Sequence, residues 1–434
     1  MFTPRLRMMV LTALACALLA LPALADSQAR IVRLSDVQGR VQIDKNTGLG
    51  FENAFLNLPV IQGTQLRTGE NGRAEIEFED GSTFRLTPNT TVEFSTLGLS
   101  DAGKRISVVN LVEGRAYVNW LGKSGDQFAL NFSQEKVDLS QAEHFRVAAS
   151  STIAGIASFK NDLDVVGPQG TVKVAKKKMV TFDVEDNDRS TEAGDVESDP
   201  YDDWDKQSVE YHDQYARNNS TPYGYGFSDM SYYGSYSNVP GYGNLWQPYF
   251  TGVGWDPFMD GAWSWYPGMG YMFASAYPWG WMPYYYGNWN FVPGYGWGWQ
   301  PGGWNTWKGG VHYVGAAATG FHPPVAPVGT VHTVAVGKGG PVFTNLPPMR
   351  MVVSKGSAGL GIPRGSLSNL GHLNTQVAKA GFVEVNAAQF ATSAARTGGF
   401  GYGQASASAN SGAIGRAGSA SSGHSSSGGE HSSH

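Results

Sequence analysis

Apolar and polar side chains alternate in the first half of the chain, which is the pattern of half-buried β-strands. In residues 74–79 every second side chain is apolar and the intervening ones are acidic. Asp80-Gly81 then predicts a hairpin turn, and Thr83–Leu86 predicts the returning strand. No ten-residue window within residues 30–182 carries a convincing helical stripe. We therefore predict a mainly β protein whose residues 30–182 form an all-β sandwich, roll or barrel of short antiparallel strands.

The other predicted strands lie between turns such as Asn71-Gly72 and Glu113-Gly114. They cover residues 40–44, 91–94, 106–111, 116–120, 128–132, 143–147, 163–166, 171–174 and 179–182.

The strand at 74–79 also predicts a negatively charged face. Because Ile76 and Phe78 take the inward positions, Glu75, Glu77 and Glu79 fall on the opposite side. A solvated strand face is the plain interpretation. A docking face for a basic partner is the alternative.

Residues 183–205 are strongly acidic, with Arg189 the lone basic side chain. A stretch with this charge cannot bury a core, so we predict a solvated linker. Clustered carboxylates also suit calcium, but the stretch lacks the spacing of a calcium-binding loop with its central glycine.

Residues 206–307 form an aromatic region in which one phrase recurs three times, starting at Gly234, Gly261 and Gly287. Its frame is Gly-x-aromatic-x-x-x-Pro-Gly-x-Gly-x-x-aromatic, repeated after 27 and then 26 residues. A fixed period of this length predicts repeated supersecondary units.

The aromatic region allows three interpretations. Its rings could pack on one another and on prolines as a core, or they could join copies of the protein or hold a protein partner. In the third interpretation exposed rings stack on sugars. The candidates for stacking recur at equivalent repeat positions and are Trp263, Trp265, Trp289, Trp297 and Trp299.

The remaining segments are less informative. Residues 308–396 are rich in Gly, Val and Pro with few charges, and no domain can be drawn there. Residues 397–434 are rich in Ser, Gly and Ala, which predicts a disordered tail.

The N-terminus predicts a secretory signal at residues 1–25. Arg5 and Arg7 precede an apolar run, and a small-residue motif ends at Ala25, after which we predict cleavage. The apolar run is too short for a lasting membrane span, so we expect none after cleavage. Cys16 could belong to a lipoprotein signal, but the residue order before it fits ordinary cleavage better.

Composition excludes some classes of function. The net charge of −5 and the small number of basic residues in the aromatic region argue against nucleic-acid binding. No nucleophile elbow, zinc-protease motif or phosphate loop occurs in the sequence, so we predict no enzyme, no cofactor and no metal.

The first β region resembles the FecR domain, the periplasmic module named after the ferric-citrate signalling regulator. The resemblance lies in residues 66–69, 71–74, the strand at 75–79, Asp80-Gly81-Ser82 and residues 111–116, and it spans about residues 34–120. Residues 128–182 resemble the second β portion that often follows. Family members that control a sigma factor carry a cytoplasmic domain and a membrane helix. A cleavable signal directly before the β region makes such signalling unexpected here.

The aromatic region resembles uncharacterised repeats of exported bacterial proteins, through the run Trp246-Gln-Pro-Tyr249 and residues 278–289. The sequence thus predicts a non-enzymatic periplasmic or secreted envelope protein with a FecR-like interaction module and an aromatic binding module. The alternatives are a polysaccharide-binding or carbohydrate-active protein and an accessory of cell-surface signalling. The partner is expected to be an envelope protein or a glycan, and the oligomeric state stays open.

Overall fold

The computed structural model describes residues 30–191, 194–216, 224–304, 313–315, 318–329, 333–337 and 350–386. The predicted signal peptide, its cleavage site after Ala25 and the predicted tail at 397–434 lie outside these residues. None of the described helices combines the length and the apolar character needed to cross a membrane.

Strands dominate the described residues. They are β1 (Val32–Gln38), β2 (Val41–Asp44), β3 (Glu52–Asn53), β4 (Pro59–Val60), β5 (Gln65–Thr68), β6 (Arg73–Glu77), β7 (Thr83–Leu86), β8 (Thr91–Leu99), β9 (Arg105–Trp120), β10 (Gln127–Phe132), β11 (Glu135–Leu139), β12 (Glu143–Ala149), β13 (Ile153–Ser158), β14 (Leu163–Gly167), β15 (Gly170–Val174), β16 (Lys178–Asp183), β17 (Arg189–Ser190), β18 (Gly194–Asp195), β19 (Gly234–Val239), β20 (Gly243–Pro248), β21 (Asp260–Tyr266), β22 (Gly270–Ser275), β23 (Tyr286–Val292), β24 (Gly296–Trp304), β25 (Tyr313–Val314), β26 (Thr333–Gly337), β27 (Arg350–Ser354) and β28 (Phe382–Asn386). The helices are α1 (Asp202–Ala216), α2 (Phe227–Tyr233), α3 (Met282–Tyr285) and α4 (Leu370–Ala380).

Strands β1 to β18 form two sheets around one apolar core. The first sheet runs β4-β1-β6-β7-β9-β12-β13-β16, and β17 and β18 both pair with β16. The second runs β3-β2-β5-β8-β9-β10-β11-β14-β15. Phe78, Trp120 and Phe128 meet in the core, with ring centroids 5.0–6.2 Å apart. The predicted all-β domain of mainly antiparallel strands is confirmed.

The long strand β9 joins the two sheets, and here one predicted turn was wrong. Glu113-Gly114 is no turn, because the strands expected at 106–111 and 116–120 are one continuous strand. Gly114 has φ +99°, and a Cβ there would lie 2.5 Å from the Cα of Thr90. Glycine therefore lets the strand pass between the sheets. The parallel pairing of β9 with β10 was also not predicted.

The three copies of the aromatic phrase are three β-hairpins, β19–β20, β21–β22 and β23–β24. Each turn follows the same pattern, in which the residue after Pro-Gly donates its backbone N–H to the residue before the proline. The distances are 2.9, 3.3 and 3.0 Å for Tyr242, Met269 and Tyr295. Both glycines of every turn have φ between +73° and +94°. Pro-Gly-x-Gly is thus a turn signal, because proline presets φ and the glycines accept positive φ.

The first glycine and the last aromatic residue of the frame are steric partners. A Cβ on Gly261 would lie 2.5 Å from Cζ of Phe273, and a Cβ on Gly234 or Gly287 would come within 3.0 Å of the ring of Trp246 or Trp299. The ring of each second strand therefore lies over the glycine in the first or second position of the first strand. This contact explains why the two positions recur together at a fixed spacing.

The three hairpins do not form a uniform stack. The first and third share a sheet through the Trp246–Trp299 pair, while the second lies in another sheet with β26. Trp279 lies between them, stacked on Tyr277 with ring centroids 5.0 Å apart, and its indole N–H donates to the carbonyl of Ala358 at 2.7 Å. No domain was predicted for residues 350–386, yet their elements β27, α4 and β28 complete the aromatic core.

The glycine of the frame provides a test of this packing. We predict that Gly261→Ala lowers the free energy of unfolding by about 1–3 kcal/mol, because the new methyl group is forced against Phe273 and the Ala274 carbonyl. Urea denaturation of the full chain measures it. Gly254→Ala is the matched control, since a Cβ at Gly254 meets nothing within 4 Å. Equal unfolding midpoints for the two variants would contradict the steric pairing.

Candidate functional site

Polar side chains line the outer face of the first sheet, the side away from the apolar core. Residues opposite each other on neighbouring strands point to the same side, so they form rows across the sheet. One row is Glu75, Arg85, Tyr117 and Arg146, and the next is Arg33, Glu77, Thr83, Asn119 and His144. Except for the half-buried His144, these side chains are buried. The interpretation of the glutamate stripe as a solvated face was therefore wrong.

The cover over this face comes from the same chain. Asp205 and His212 of α1, Asp229 of α2 and Arg364 of the loop between β27 and α4 all contact the two rows. We call these four side chains and the two rows the charged interface. The alternative prediction was that the glutamates dock a basic partner. In the structure the basic groups that contact Glu75 from the cover are His212 and Arg364 of the same chain.

Glu75 accepts hydrogen bonds from four side chains. Its Oε1 lies 2.7 Å from Ser35 Oγ, 3.0 Å from His212 Nε2 and 2.6 Å from Arg364 Nη1, and its Oε2 lies 2.8 Å from Arg85 Nε. Burial alone would raise the pKa of Glu75. The charges of His212, Arg364 and Arg85 outweigh it and hold that pKa well below its ordinary value.

Arg364 connects both parts of the chain. Its Nε and Nη2 donate to the two carboxylate oxygens of Asp229, each at 2.8 Å, while Nη1 reaches Glu75 and Nη2 also donates to the Ser35 carbonyl. The guanidinium lies 5.1 Å from the ring centre of Tyr211. Such a pair of parallel hydrogen bonds to both oxygens of one carboxylate requires the planar guanidinium of arginine.

Glu77 is held less completely than Glu75. Its Oε2 accepts from Arg33 Nη1 at 3.1 Å and from the backbone N–H of Gly226 at 3.0 Å, but its Oε1 has no hydrogen-bond partner. Burial raises its pKa although His212 and Arg33 act in the opposite direction. Arg33 also pairs with Asp229 at 2.7 Å, so one guanidinium serves two buried carboxylates.

Only the end of the acidic segment, from Asp199 to Asp205, is docked on the same face, while most of the described residues from 183 to 198 are exposed, as expected for a solvated linker. Asp202 accepts from Tyr117 Oη at 2.8 Å and from Arg146 Nη1 at 2.7 Å, and Asp205 lies 2.8 Å from Arg85 Nη1. Asp199 begins the turn into α1, where the backbone N–H of Tyr201 donates to its carboxylate. Acidic residues at a helix start also complement the helix dipole.

A serine–histidine–glutamate chain lies inside the charged interface. Ser228 Oγ is 2.9 Å from His212 Nδ1, and His212 Nε2 is 3.0 Å from Glu75. In a hydrolase triad the serine contacts Nε2 and the acid contacts Nδ1, so the order here is reversed. Ser228 is 1% exposed. The arrangement binds α1 and α2 to the sheet and presents no nucleophile to a substrate.

The five tryptophans proposed to stack on a ligand lie in or against the aromatic core. Trp263, Trp289, Trp297 and Trp299 are buried, and Trp265 is half-buried and packs against the same cluster. Their repeat positions pair them across the hairpins, as with Trp289 opposite Trp299. Equivalent positions thus indicated shared packing rather than shared exposure. Four of the five rings have almost no exposed surface, and stacking by Trp265 stays a prediction.

In the described part of residues 206–307 the exposed rings are tyrosines of the first hairpin, which sequence reasoning did not single out. Tyr236 is 44% exposed and Tyr242 is 37% exposed. Tyr236 occupies the frame position of Trp263 and Trp289, but β19 is the edge of its sheet and pairs only with β20 among the described strands. The sequence signal for this exposure was a tyrosine at a frame position where the other two copies have tryptophan.

The described residues contain no group of three or more His, Cys, Asp or Glu side chains placed to hold a metal ion. The charged interface has carboxylates, but arginines fill their coordination positions. We therefore describe its chemistry as ion pairing between two parts of one chain.

The charged interface predicts a large effect of Arg364→Ala. The substitution removes the main cation of buried Asp229 and one of the three cations around buried Glu75, so the free energy of unfolding should fall by about 3–5 kcal/mol. Urea denaturation followed by tryptophan fluorescence measures the loss. Arg364→Lys should recover only part of it, because lysine cannot form the fork.

Lys173→Ala is the matched control for Arg364→Ala. It removes an ion pair with Asp162 in which both side chains are exposed, so the unfolding midpoint should not change. A similar loss in both variants would mean that burial of the charged interface does not set its contribution.

Comparison with known proteins agrees with the two resemblances. Residues 64–194 match the family model described as FecR protein, and residues 227–327 match that of a family of unknown function (DUF6600). Two crystal structures of a candidate anti-sigma factor from Parabacteroides distasonis ATCC 8503, at 1.65 and 2.50 Å resolution, are similar at 17% identity and a TM-score of 0.28. They cover 35% and 34% of this chain and 72% and 71% of theirs. No curated protein matches. The chain thus contains a FecR domain followed by a DUF6600 region.

Proposed function

We propose that this chain is a non-enzymatic, exported envelope protein that recognises a protein partner through its β19–β20 hairpin. In this proposal the FecR domain and the aromatic region act as one rigid support. The observation that carries it is the edge position of β19, which pairs only with β20 among the described strands and whose residues 235–238 are all exposed and uncharged.

An edge strand offers unpaired backbone groups to another chain, and proteins commonly protect such edges with charges or prolines. The strand β19 has neither. Tyr249 N–H donates to the Tyr233 carbonyl, so Tyr233 and Tyr249 are a hydrogen-bonded pair, and such pairs alternate along the hairpin. The backbone N–H groups of Tyr236 and Asn238 therefore point away from β20. They suit an added strand.

The FecR match supports a role related to cell-surface signalling, since proteins of this family interact with other envelope or signalling proteins. The predicted signal at residues 1–25 supports export. The proposal assigns no reaction to the chain, because the Ser228–His212–Glu75 contacts are buried within the charged interface.

A polysaccharide is the second candidate partner, favoured by the side chains of the same hairpin. Tyr236 and Tyr242 expose ring faces, and Asn238 and Asn244 add amides beside them. Exposed rings with adjacent donors and acceptors are suited to sugars.

Two substitutions separate the candidates. Asn238→Pro removes an outward N–H and should block strand addition while it leaves the rings in place. The double change Tyr236→Ala and Tyr242→Ala removes the rings and keeps the backbone edge. A photo-crosslinking residue at Tyr242 of the full chain in the source cells should give a defined protein adduct, which Asn238→Pro reduces by about tenfold or more.

The same chain is then tested for sedimentation with envelope polysaccharide from the source cells, and Val253→Ala is the control because Val253 is fully exposed elsewhere. Sedimentation that is lost only in the tyrosine variant would favour the polysaccharide. The absence of both an adduct and sedimentation would contradict the proposed function. Turnover of a substrate by the purified chain would contradict it too.

A further inference from the structure

Four loops lie side by side at one end of the β-sandwich. They are the connections at 121–126, 140–142, 159–162 and 175–177. A Cβ on Gly122 would lie 2.3 Å from the backbone nitrogen of Ala142, and Asn161 Nδ2 donates to the Ala142 carbonyl at 2.9 Å. The backbone N–H of Lys176 donates to Asp162 Oδ1 at 3.0 Å. Each loop therefore contacts the next one.

Exposed lysines are concentrated at this end. Lys104 joins the loops from the turn before β9, because its Nζ donates to the Ser124 carbonyl at 3.1 Å. In the described part of the chain, no ion pair includes any lysine of this group. We call the group the lysine end, and its members are Lys104, Lys123, Lys160, Lys176 and Lys177.

The carboxylates beside the loops do not neutralise the lysine end. Asp126 is paired with Arg105, and Asp162 is paired with Lys173 at 3.0 Å. Asp101 is the exposed acid of the turn before β9. Five lysines thus stand against few carboxylates that lack a cation, and this end of the sandwich is positively charged.

Lys177 occupies a backbone conformation that disfavours a lysine. Its φ is +62°, in the left-handed region, inside a turn that the Lys178 N–H closes by donating to the Ala175 carbonyl at 3.0 Å. Glycine or asparagine would fit this position with less strain. Lys176 and Lys177 lie in a turn and not in a strand, so they do not protect a sheet edge. Folding gives no reason for lysine at 177, which indicates a role for its charge.

The charge of the sandwich is polarised along β16. This strand begins beside the lysine end at Lys178 and finishes at Asp183. The exposed acids Glu185 and Asp186 follow in the next turn. A negatively charged surface would attract one end of the sandwich and repel the other, and would therefore orient the molecule.

We propose that the lysine end binds the negatively charged headgroups of a phospholipid surface. Each lysine carries a compact charge on a flexible stem, and the five are spread over several loops. None of these loops carries an arginine, which is the residue that grips a single phosphate with two parallel hydrogen bonds. Many dispersed headgroups therefore fit the lysine end better than one bound anion.

The apolar side chain among the lysines agrees with a lipid surface. Leu121 is 40% exposed and lies in the same loop as Lys123. A leucine beside basic residues can enter the boundary between headgroups and acyl chains. This surface is separate from the β19–β20 hairpin, and the inference does not rest on the function proposed for that hairpin.

Other classes of partner fit the lysine end less well. Lysine is depleted in protein–protein interfaces, where arginine and aromatic residues are enriched. Sugars stack on exposed rings, but the ring in these loops, that of Phe159, is half-buried and packs against Tyr117 and His144.

Co-sedimentation of the full chain with lipid vesicles tests the proposal. We expect binding to phosphatidylcholine vesicles that contain about 30% phosphatidylglycerol and little binding to pure phosphatidylcholine. Binding should fall steeply in about 0.5 M NaCl, because salt screens exposed charges. All variants share one N-terminus, so the predicted signal at 1–25 contributes equally to each.

A triple variant measures the contribution of the lysine end. Lys123→Gln, Lys160→Gln and Lys177→Asn together should weaken binding to the charged vesicles by about a hundredfold, since each lysine near such a surface contributes about fivefold. Lys177→Asn alone should weaken binding by about fivefold and leave the unfolding midpoint equal or higher, because asparagine tolerates the left-handed backbone.

The matched control removes the same charge from exposed lysines of other elements. It combines Lys206→Gln, Lys355→Gln and Lys379→Gln, and its binding should change by less than about threefold. Circular dichroism shows that each variant is folded, and Lys177→Asn alone decides if the triple variant is not. Absence of binding, equal binding to both kinds of vesicle, or an equal loss in the control would each overturn the proposal.

Discussion

The structure depends on the pairing of charges that have been removed from water. Glu75 and Glu77 lie on a sheet face that the rest of the chain covers, and an unpaired carboxylate in that place would oppose folding. Arg33, Arg85 and Arg364 make the cover possible because each guanidinium donates several hydrogen bonds at fixed angles. A buried ion pair adds little net stability over an apolar contact. These pairs form only in one geometry, so they specify how the covering segments pack on the first sheet.

The aromatic region is under a different constraint. It is rich in glycine and proline and has few aliphatic side chains with which to form a core. Each hairpin turn is fixed by Pro-Gly-x-Gly, and each second strand lays a ring over the glycine in the first or second position of the first strand. The rings supply the apolar area, while indole N–H groups such as that of Trp279 reach backbone carbonyls. Packing and hydrogen bonding therefore come from the same side chains.

The sequence was informative where a pattern reports local geometry. Alternation in residues 74–79 predicted the strand and its inward face, and the repeat frame predicted three equivalent units. The same alternation could not reveal what covers the other face, because Arg364 lies 289 residues from Glu75 in a region with no periodic signal. The burial of four of the five tryptophans proposed to stack on a ligand was missed for a related reason. Equivalent positions report a shared place in a hairpin, and exposure of Tyr236 depends on which hairpin lies at the sheet edge.

The distance in sequence between Glu75 and Arg364 has a consequence for biogenesis. A chain emerges from the ribosome N-terminus first, so the β-sandwich can assemble well before the loop that carries Arg364 has been made. During that interval the charged rows stay hydrated, since nothing yet covers them, and this hydration keeps the nascent sandwich from aggregating with other chains. Closure of such a long loop is slow compared with hairpin formation. The pairing of Arg364 with Glu75 and Asp229 thus completes the contact between the β-sandwich and the aromatic region.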